Sequence, residues 1–366
     1  MNIEIKTLVL NALLNKVSKA LSSNANNESL SGIKFEANDN TLTLIASNNV
    51  FLIECKTDLV NVIKPGKCLI LGKLINDLAK KTIETDISIV DEVNTVMFST
   101  KNTKFKLKKL DINLYPKRKQ NNCTIDVDFK TDDFIYVVKK TIISTATNSD
   151  KRVFNGINFK HINNALLITA TDSFRLSRVV ISNDQQYNFN IIIPNVALNE
   201  LLKILDDKSL KMKLSNNYAL FITKDMELET RLIDGPYPNC DSLIPNSFTS
   251  EITVQKLKLL NAIDRLSTIL SLNNQSLIKM FINKNLTIET LNGDYGQAKE
   301  VIDLENNGLS SDLNIAISTK YISDALKTFD DDIVTLNFSG TTKPIIINSC
   351  KNNEMIQLIL PIRVDW

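Results

Sequence analysis

The apolar positions of the chain fall into one helical pattern that returns at an interval of about 120 to 125 residues. Leu10, Leu13, Leu14 and Val17 stand at i, i+3, i+4 and i+7, the spacing of one buried helix face. Phe134, Val137, Val138 and Thr141 repeat it, and Leu259, Ala262, Ile263 and Leu266 repeat it again. A second stripe follows in each copy: Leu71, Leu74, Ile75, Leu78; Leu198, Leu201, Leu202, Leu205; Ile322, Ala325, Leu326, Phe329. Six helices in three pairs are predicted.

Alternating runs predict strands on the same interval: TLTLIA over 41–46, ALLITA over 165–170 and NLTIET over 285–290, with Leu42, Leu166 and Leu286 as counterparts. Upstream, Gly32-Ile33-Lys34-Phe35 matches Gly156-Ile157-Asn158-Phe159, and Leu277-Ile278-Lys279-Met280-Phe281 takes that place without the glycine. The period is too long for a solenoid unit of roughly 20 to 50 residues and long enough for a domain. The expectation is an α+β chain of three similar domains, 1–122, 123–248 and 249–366, joined near 117–122 and 246–250. Sheets that continue across the joints would cover their own edges.

Composition narrows the class. With 366 residues, 43% apolar and 23% charged, the chain reads as globular, and no apolar run reaches the roughly 20 residues of a membrane span. Its first residues read directly as a strand, so a cytoplasmic location is expected. Cys55, Cys68, Cys123, Cys240 and Cys350 are scattered and form no C-x-x-C pair, so neither a disulfide framework nor a zinc site is expected.

Catalysis finds little support. The one histidine, His161, lies in the polar run Lys160-His161-Ile162-Asn163-Asn164 and reads as a solvated turn residue. No phosphate-cradling glycine loop appears among nine glycines. Asp132-Asp133 and Asp330-Asp331-Asp332 read as solvated acids at helix ends. No catalytic residue, metal site or cofactor is expected.

Charge is informative by placement. The six helical segments hold 14 Lys and Arg against 8 Asp and Glu, although the net charge is only +2. Lys16, Lys19, Lys73, Lys80, Lys81, Lys139, Lys140, Lys256, Lys258, Arg265 and Lys320 would suit a phosphate backbone without base readout. They would equally suit an ordinary solvated helix face.

Four further stretches carry a resemblance: Ala170-Thr171-Asp172-Ser173-Phe174-Arg175-Leu176; Val153-Phe154-Asn155-Gly156; Asp234-Gly235-Pro236-Tyr237-Pro238 leading to Leu243-Ile244-Pro245; and Leu358-Ile359-Leu360-Pro361-Ile362-Arg363-Val364. In this order they resemble the bacterial DNA sliding clamp family, the beta subunit of DNA polymerase III, from Met1 to the end. The resemblance implies three DNA-clamp domains per chain and a homodimeric closed ring with sheets outside and helices lining the hole. It implies a non-catalytic processivity factor that encircles duplex DNA. Implied partners are a second copy, the catalytic subunit of DNA polymerase III, a clamp loader, and other polymerases and repair proteins that dock through short linear motifs.

The resemblance assigns roles by position. Phe154, Thr171, Ser173, Phe174, Arg175, Leu176, Pro238, Leu243, Tyr321, Leu358, Leu360, Pro361, Ile362, Arg363 and Val364 would form the partner-peptide pocket. Phe105 and Leu107, with Ile269 and Leu270 of the other chain, would form the dimer contact. Ser173 and Phe174 depart from the family's glycine and histidine or tyrosine, Ser242 from an arginine, Gln275 from an aromatic, and Asn24 from a DNA-contacting arginine. Asp365 and Trp366 extend past the usual end, with Trp366 expected beside the pocket. The rival reading is a peptide-binding scaffold that keeps the fold without encircling DNA.

Overall fold

Leu10, Leu13, Leu14 and Val17 are buried along one face of α1 (Thr7–Val17), and burial of each such side chain contributes about 1.5–3 kcal/mol. The computed structural model describes residues 1–22, 28–116, 118, 122–183, 187–245, 247–272, 276–291, 294–349 and 354–364. Asn24, Gln275, Cys350, Asp365 and Trp366 lie outside the described residues. The other helices are α2 (Gly72–Lys81), α3 (Thr131–Thr141), α4 (Asn195–Ile204), α5 (Lys256–Leu272) and α6 (Thr319–Lys327). Phe134, Val137, Val138 and Thr141 of α3 are fully buried, as are Leu259, Ile263 and Leu266 of α5. In α3, Asp132 and Asp133 open the helix and Lys139 and Lys140 close it, matching the helix dipole.

The second stripe of the first copy is out of register with its expectation. Leu71 ends the strand Gly66–Leu71, and the face of α2 that goes inward carries Gly72, Ile75 and Ala79. Leu71 and Leu74 are 37% and 38% exposed. A Cβ on Gly72 would come within 2.6 Å of both terminal carbons of Leu21, which is why the helix can start there against the core.

Each copy runs strand, helix, four or five strands, helix, three strands. The chain nonetheless divides into two compact units, one of 1–134 with 196–232 and one of 135–195 with 233–366. The first unit holds a thirteen-stranded sheet, in the order 125–130, 209–214, 218–222, 226–231, 51–57, 41–47, 32–38, 66–71, 104–110, 95–99, 86–91, 2–6, 60–64. The second holds a nine-stranded sheet (189–194, 156–162, 165–171, 175–182, 355–359, 345–349, 333–338, 250–255, 306–308) and a four-stranded one (299–302, 286–290, 277–282, 313–318).

These sheets cross the seams between copies. Within the first unit Met226–Arg231 pairs antiparallel with Phe51–Thr57, setting Leu228 opposite Ile53. Within the second Arg175–Ser182 pairs antiparallel with Met355–Ile359, setting Leu176 opposite Leu358. A buried network backs the second seam. Ser144 and Ser177 hydroxyls lie 2.6 Å apart, and Ser177 donates to Gln357 Oε1 at 2.5 Å. Gln357 Nε2 donates to the Lys140 carbonyl at 2.9 Å and to Thr328 Oγ1 at 3.1 Å.

Candidate functional site

The turn between strands 165–171 and 175–182 is built by Asp172. Its Oδ1 accepts from the backbone N–H of Phe174 and of Arg175, each at 3.0 Å. Such a local carboxylate-to-backbone closure makes a tight turn from sequence alone. Ser173 sits inside it at φ +81°, in the left-handed region where glycine carries no steric cost. Phe174 is thereby thrust outward, 59% exposed, while its carbonyl accepts from Leu360 N–H at 2.9 Å.

Arg175 turns inward and is nearly buried. Its Nε donates to Asp172 Oδ2 at 3.0 Å and its Nη1 to Asp324 Oδ2 at 2.8 Å. The guanidinium also lies 4.5 Å from the centre of the Tyr321 ring. Tyr321 and Asp324 share one face of α6 at i, i+3, so a single helix supplies both the aromatic plane and the carboxylate. Burial raises the Tyr321 phenol above its usual range. Asp172 and Asp324 are site residues the sequence reading missed. The first was visible in the A-T-D-S-F-R run, whereas the second had no local signal.

Beside this anchor lies an apolar floor. Leu176, Cys240, Ile346 and Leu358 are buried together, with Tyr237, Ile244, Ile356 and Leu360 packed around them. The Tyr237 hydroxyl accepts from Thr171 N–H at 2.9 Å, fixing segment 237–243 over the sheet, and burial raises its phenol pKa. Pro238 and Leu243 stay exposed at the rim. The last described strand gives way to Leu360–Val364, and Ile362 N–H donates to the Ala316 carbonyl at 2.8 Å. Pro361, Ile362, Arg363 and Val364 then wall an open hollow of about 470 Å³ with Asn314, Ala316, Thr341 and Thr342. Phe154 is buried in the 3₁₀ turn Arg152–Asn155. Of the expected pocket residues, Thr171, Leu176 and Leu358 pair across adjacent strands, Leu360 bonds to Phe174 and Tyr321 lies against Arg175, while Pro361, Ile362, Arg363 and Val364 line the hollow of about 470 Å³.

The basic residues divide by environment. Lys19, Lys73, Lys80, Lys81, Lys139, Lys258 and Lys320 are exposed. Lys140, expected at the surface, is buried: its ammonium donates to the Thr328 carbonyl and to Asp330 Oδ2 and lies 5.0 Å from the Tyr136 ring centre. Lys16, also expected to face phosphate, reaches Asp206 at 2.9 Å and Asp225 at 3.3 Å, and these carboxylates raise its pKa against the opposing effect of burial. Arg265 forms a two-pronged pair with Glu300, and Lys256 donates to the Phe329 carbonyl. Phe105 and Ile269 keep accessible surface, while Leu107 and Leu270 are buried inside their own units.

His161 is a correction. It is buried, with Nδ1 3.0 Å from the Tyr187 carbonyl, Nε2 2.8 Å from the Asn183 carbonyl, and its ring stacked on Phe189. The strand Gly156–Ile162 continues its alternation through Ile157 and Phe159 to His161, and the turn comes only at Asn163 and Asn164, at φ +51° and +61°. Among the described residues only Asp206, Asp207 and Asp225 bring three metal-ligating groups together. Lys16 already bonds to two of these carboxylates. Among the same residues no helix is long and apolar enough to cross a membrane.

Comparison with known proteins matches the whole length. Family models for the N-terminal, central and C-terminal domains of the DNA polymerase III beta subunit cover residues 1–119, 128–239 and 241–363. The chain is 29% identical over 364 residues to a beta sliding clamp of Bacillus subtilis, covering 95% of each. It is 30% identical over 362 residues to one of Staphylococcus aureus, covering 96% of each. The crystal structure of the DNA polymerase sliding clamp from Bacillus subtilis superposes at TM-score 0.94 with 28% identity over both full chains.

Proposed function

The chain belongs to the DNA polymerase III beta subunit family, and on that premise we propose that it is a sliding clamp: a processivity factor that holds a DNA polymerase on its template. The observation that carries this is the succession of all three family domains in order along one chain. Two copies close into a ring around duplex DNA, each contributing clamp domains 1–122, 123–248 and 249–366. The complex works in the cytoplasm without catalysis of its own.

Retention in this reading is topological, so contacts with DNA stay weak and blind to sequence. The exposed lysines Lys19, Lys73, Lys80, Lys81, Lys139, Lys258 and Lys320 supply them as mobile point charges. Phe105 and Ile269 are the accessible members of the dimer contact, with Leu107 and Leu270 packed behind them. The floor of Leu176 and Leu358 with the Phe174, Pro238 and Leu243 rim takes an extended peptide from polymerase, clamp loader or repair protein, since an apolar groove with few polar anchors fits that ligand. Arg175 serves by holding the turn in shape.

Light scattering with loading assays on circular DNA tests the reading. The expected mass is near twice 41.1 kDa, with retention on nicked circles that is lost when they are linearised. A stable monomer that never remains on circles overturns it.

A further inference from the structure

Residues directly opposite one another in neighbouring strands share a face of the sheet. On one face of the nine-stranded sheet, Leu176 pairs with Thr171 and with Leu358, and this is the groove floor. One side-chain repeat further on, about 7 Å along the strand, the same face changes character. There Arg178 pairs with Thr169, Thr169 with Asn158, and Lys160 with Leu167 and Asn190. A hollow of about 220 Å³ opens among these residues and segment 237–241, and Tyr237 and Cys240 line the hollow while also packing in the groove floor.

The chemistry of this hollow is cationic and incompletely neutralised. Arg178 is 12% exposed and donates from Nη1 to Asp241 Oδ1 at 2.7 Å and from Nε to Thr169 Oγ1 at 3.4 Å. A guanidinium carries five N–H donors, so donors remain. Asp241 itself is 62% exposed and sits on the one-turn helix Asp241–Leu243 that also carries the rim residue Leu243. Lys160 makes no ion pair among the described residues. Asn158 is fixed in place by bonds to Asn190 Oδ1 at 2.7 Å and the Ile191 carbonyl at 3.0 Å. Two cations thus face one carboxylate in a space below the roughly 300–1,000 Å³ of a small-molecule site.

We infer that this hollow is a subsite for an acidic side chain of the same peptide that lays its apolar residues on Leu176 and Leu358. The inference rests on the groove's being a peptide site. The peptide crosses Pro238, and its carboxylate accepts from Lys160 Nζ and the remaining N–H groups of Arg178. The room suits one aspartate or glutamate side chain. Specificity for an acidic residue then comes from Lys160, which has no other partner there, with Arg178 as its preoriented neighbour.

The test uses labelled synthetic decapeptides alike in a central Leu-Phe pair and differing only in Glu or Gln at each flanking position in turn, titrated by fluorescence anisotropy against the full chain. At one flanking position the Glu peptide is expected to bind about fivefold tighter than its Gln twin. That ratio should fall to near one in Lys160→Gln and shrink in high salt. Leu243→Ser should weaken both twins while leaving their ratio intact. Twins that bind equally at every position overturn the subsite alone, as does a preference that survives in Lys160→Gln. If no peptide binds the unaltered chain, the groove reading fails and the subsite with it.

Discussion

Glu54 and Glu227 stand directly opposite each other on adjacent antiparallel strands, at the seam between the first and second copies. Like charges so placed repel. Arg118 resolves the conflict: Nη1 donates to Glu54 at 2.9 Å, Nη2 to Glu227 at 2.8 Å and Nε to Glu229 at 3.1 Å. Replacing Arg118 by Ala leaves the buried Glu54 and the partly buried Glu227 and Glu229 crowded together, with Lys56 still 2.8 Å from Glu54, and is expected to destabilise the chain by about 2–4 kcal/mol. Urea denaturation reads it, and Arg118→Lys, a point charge that cannot serve three acceptors in one plane, should recover only part.

Ser173 occupies a left-handed backbone conformation at φ +81° that costs a non-glycine residue about 1–2 kcal/mol. Ser173→Gly removes that strain but gives the unfolded chain more freedom, so a net gain of about 0.5–1 kcal/mol is expected. Calorimetry should show a rise of about 1–3 °C. The Asp172 carboxylate closes the turn through residues 174 and 175, so the turn should keep its shape in this variant.

Lys140 and the pair Lys80 and Lys81 separate structure from electrostatics. Lys140→Ala orphans the Thr328 carbonyl and should lower stability by about 1–3 kcal/mol, with no change in how DNA retention depends on salt. Lys80→Ala with Lys81→Ala should do the reverse. Stability stays within about 0.5 kcal/mol, while the slope of log affinity against log salt falls by about one for each phosphate that is no longer neutralised. Parallel denaturation and salt titrations decide it.

Cys55 and Cys68 are buried, and burial pushes both thiols from the ordinary 9.0 up to about 12. Between these values the unfolded chain loses protons that the folded chain keeps, so their contribution to stability falls as pH rises above about 9. At neutral pH they should resist alkylation until the chain unfolds. Among the described cysteines Cys123, partly exposed, should react first in a timed labelling experiment followed by mass spectrometry.

What could be read from the sequence was what is local. The helix faces of α1, α3 and α5 follow from i, i+3, i+4 spacing, and the Asp172 turn from six consecutive residues. Leu71 and Leu74 misled because a strand ends one residue before α2 begins, so the two periods overlap there. His161 misled because its polar neighbours hid an alternation that runs one step further. Arg118 with Glu54 and Glu227, and Arg175 with Asp324, lie 64, 109 and 149 residues apart. No spacing rule reaches that far. Lys16 and Lys140 look like surface charges in the sequence because a lysine's partners are invisible until the chain is folded.

The seams between copies are ladders of backbone N–H and C=O groups, and every amino acid except proline brings the same donor and acceptor to such a ladder. A joint of that kind keeps its geometry while the side chains around it drift over evolutionary time. This gives a physical reason why fewer than a third of positions need coincide for the chain to superpose at TM-score 0.94 on the sliding clamp of Bacillus subtilis. The architecture is carried by the main chain, and the side chains beside each seam are held to it by their own packing and hydrogen bonds.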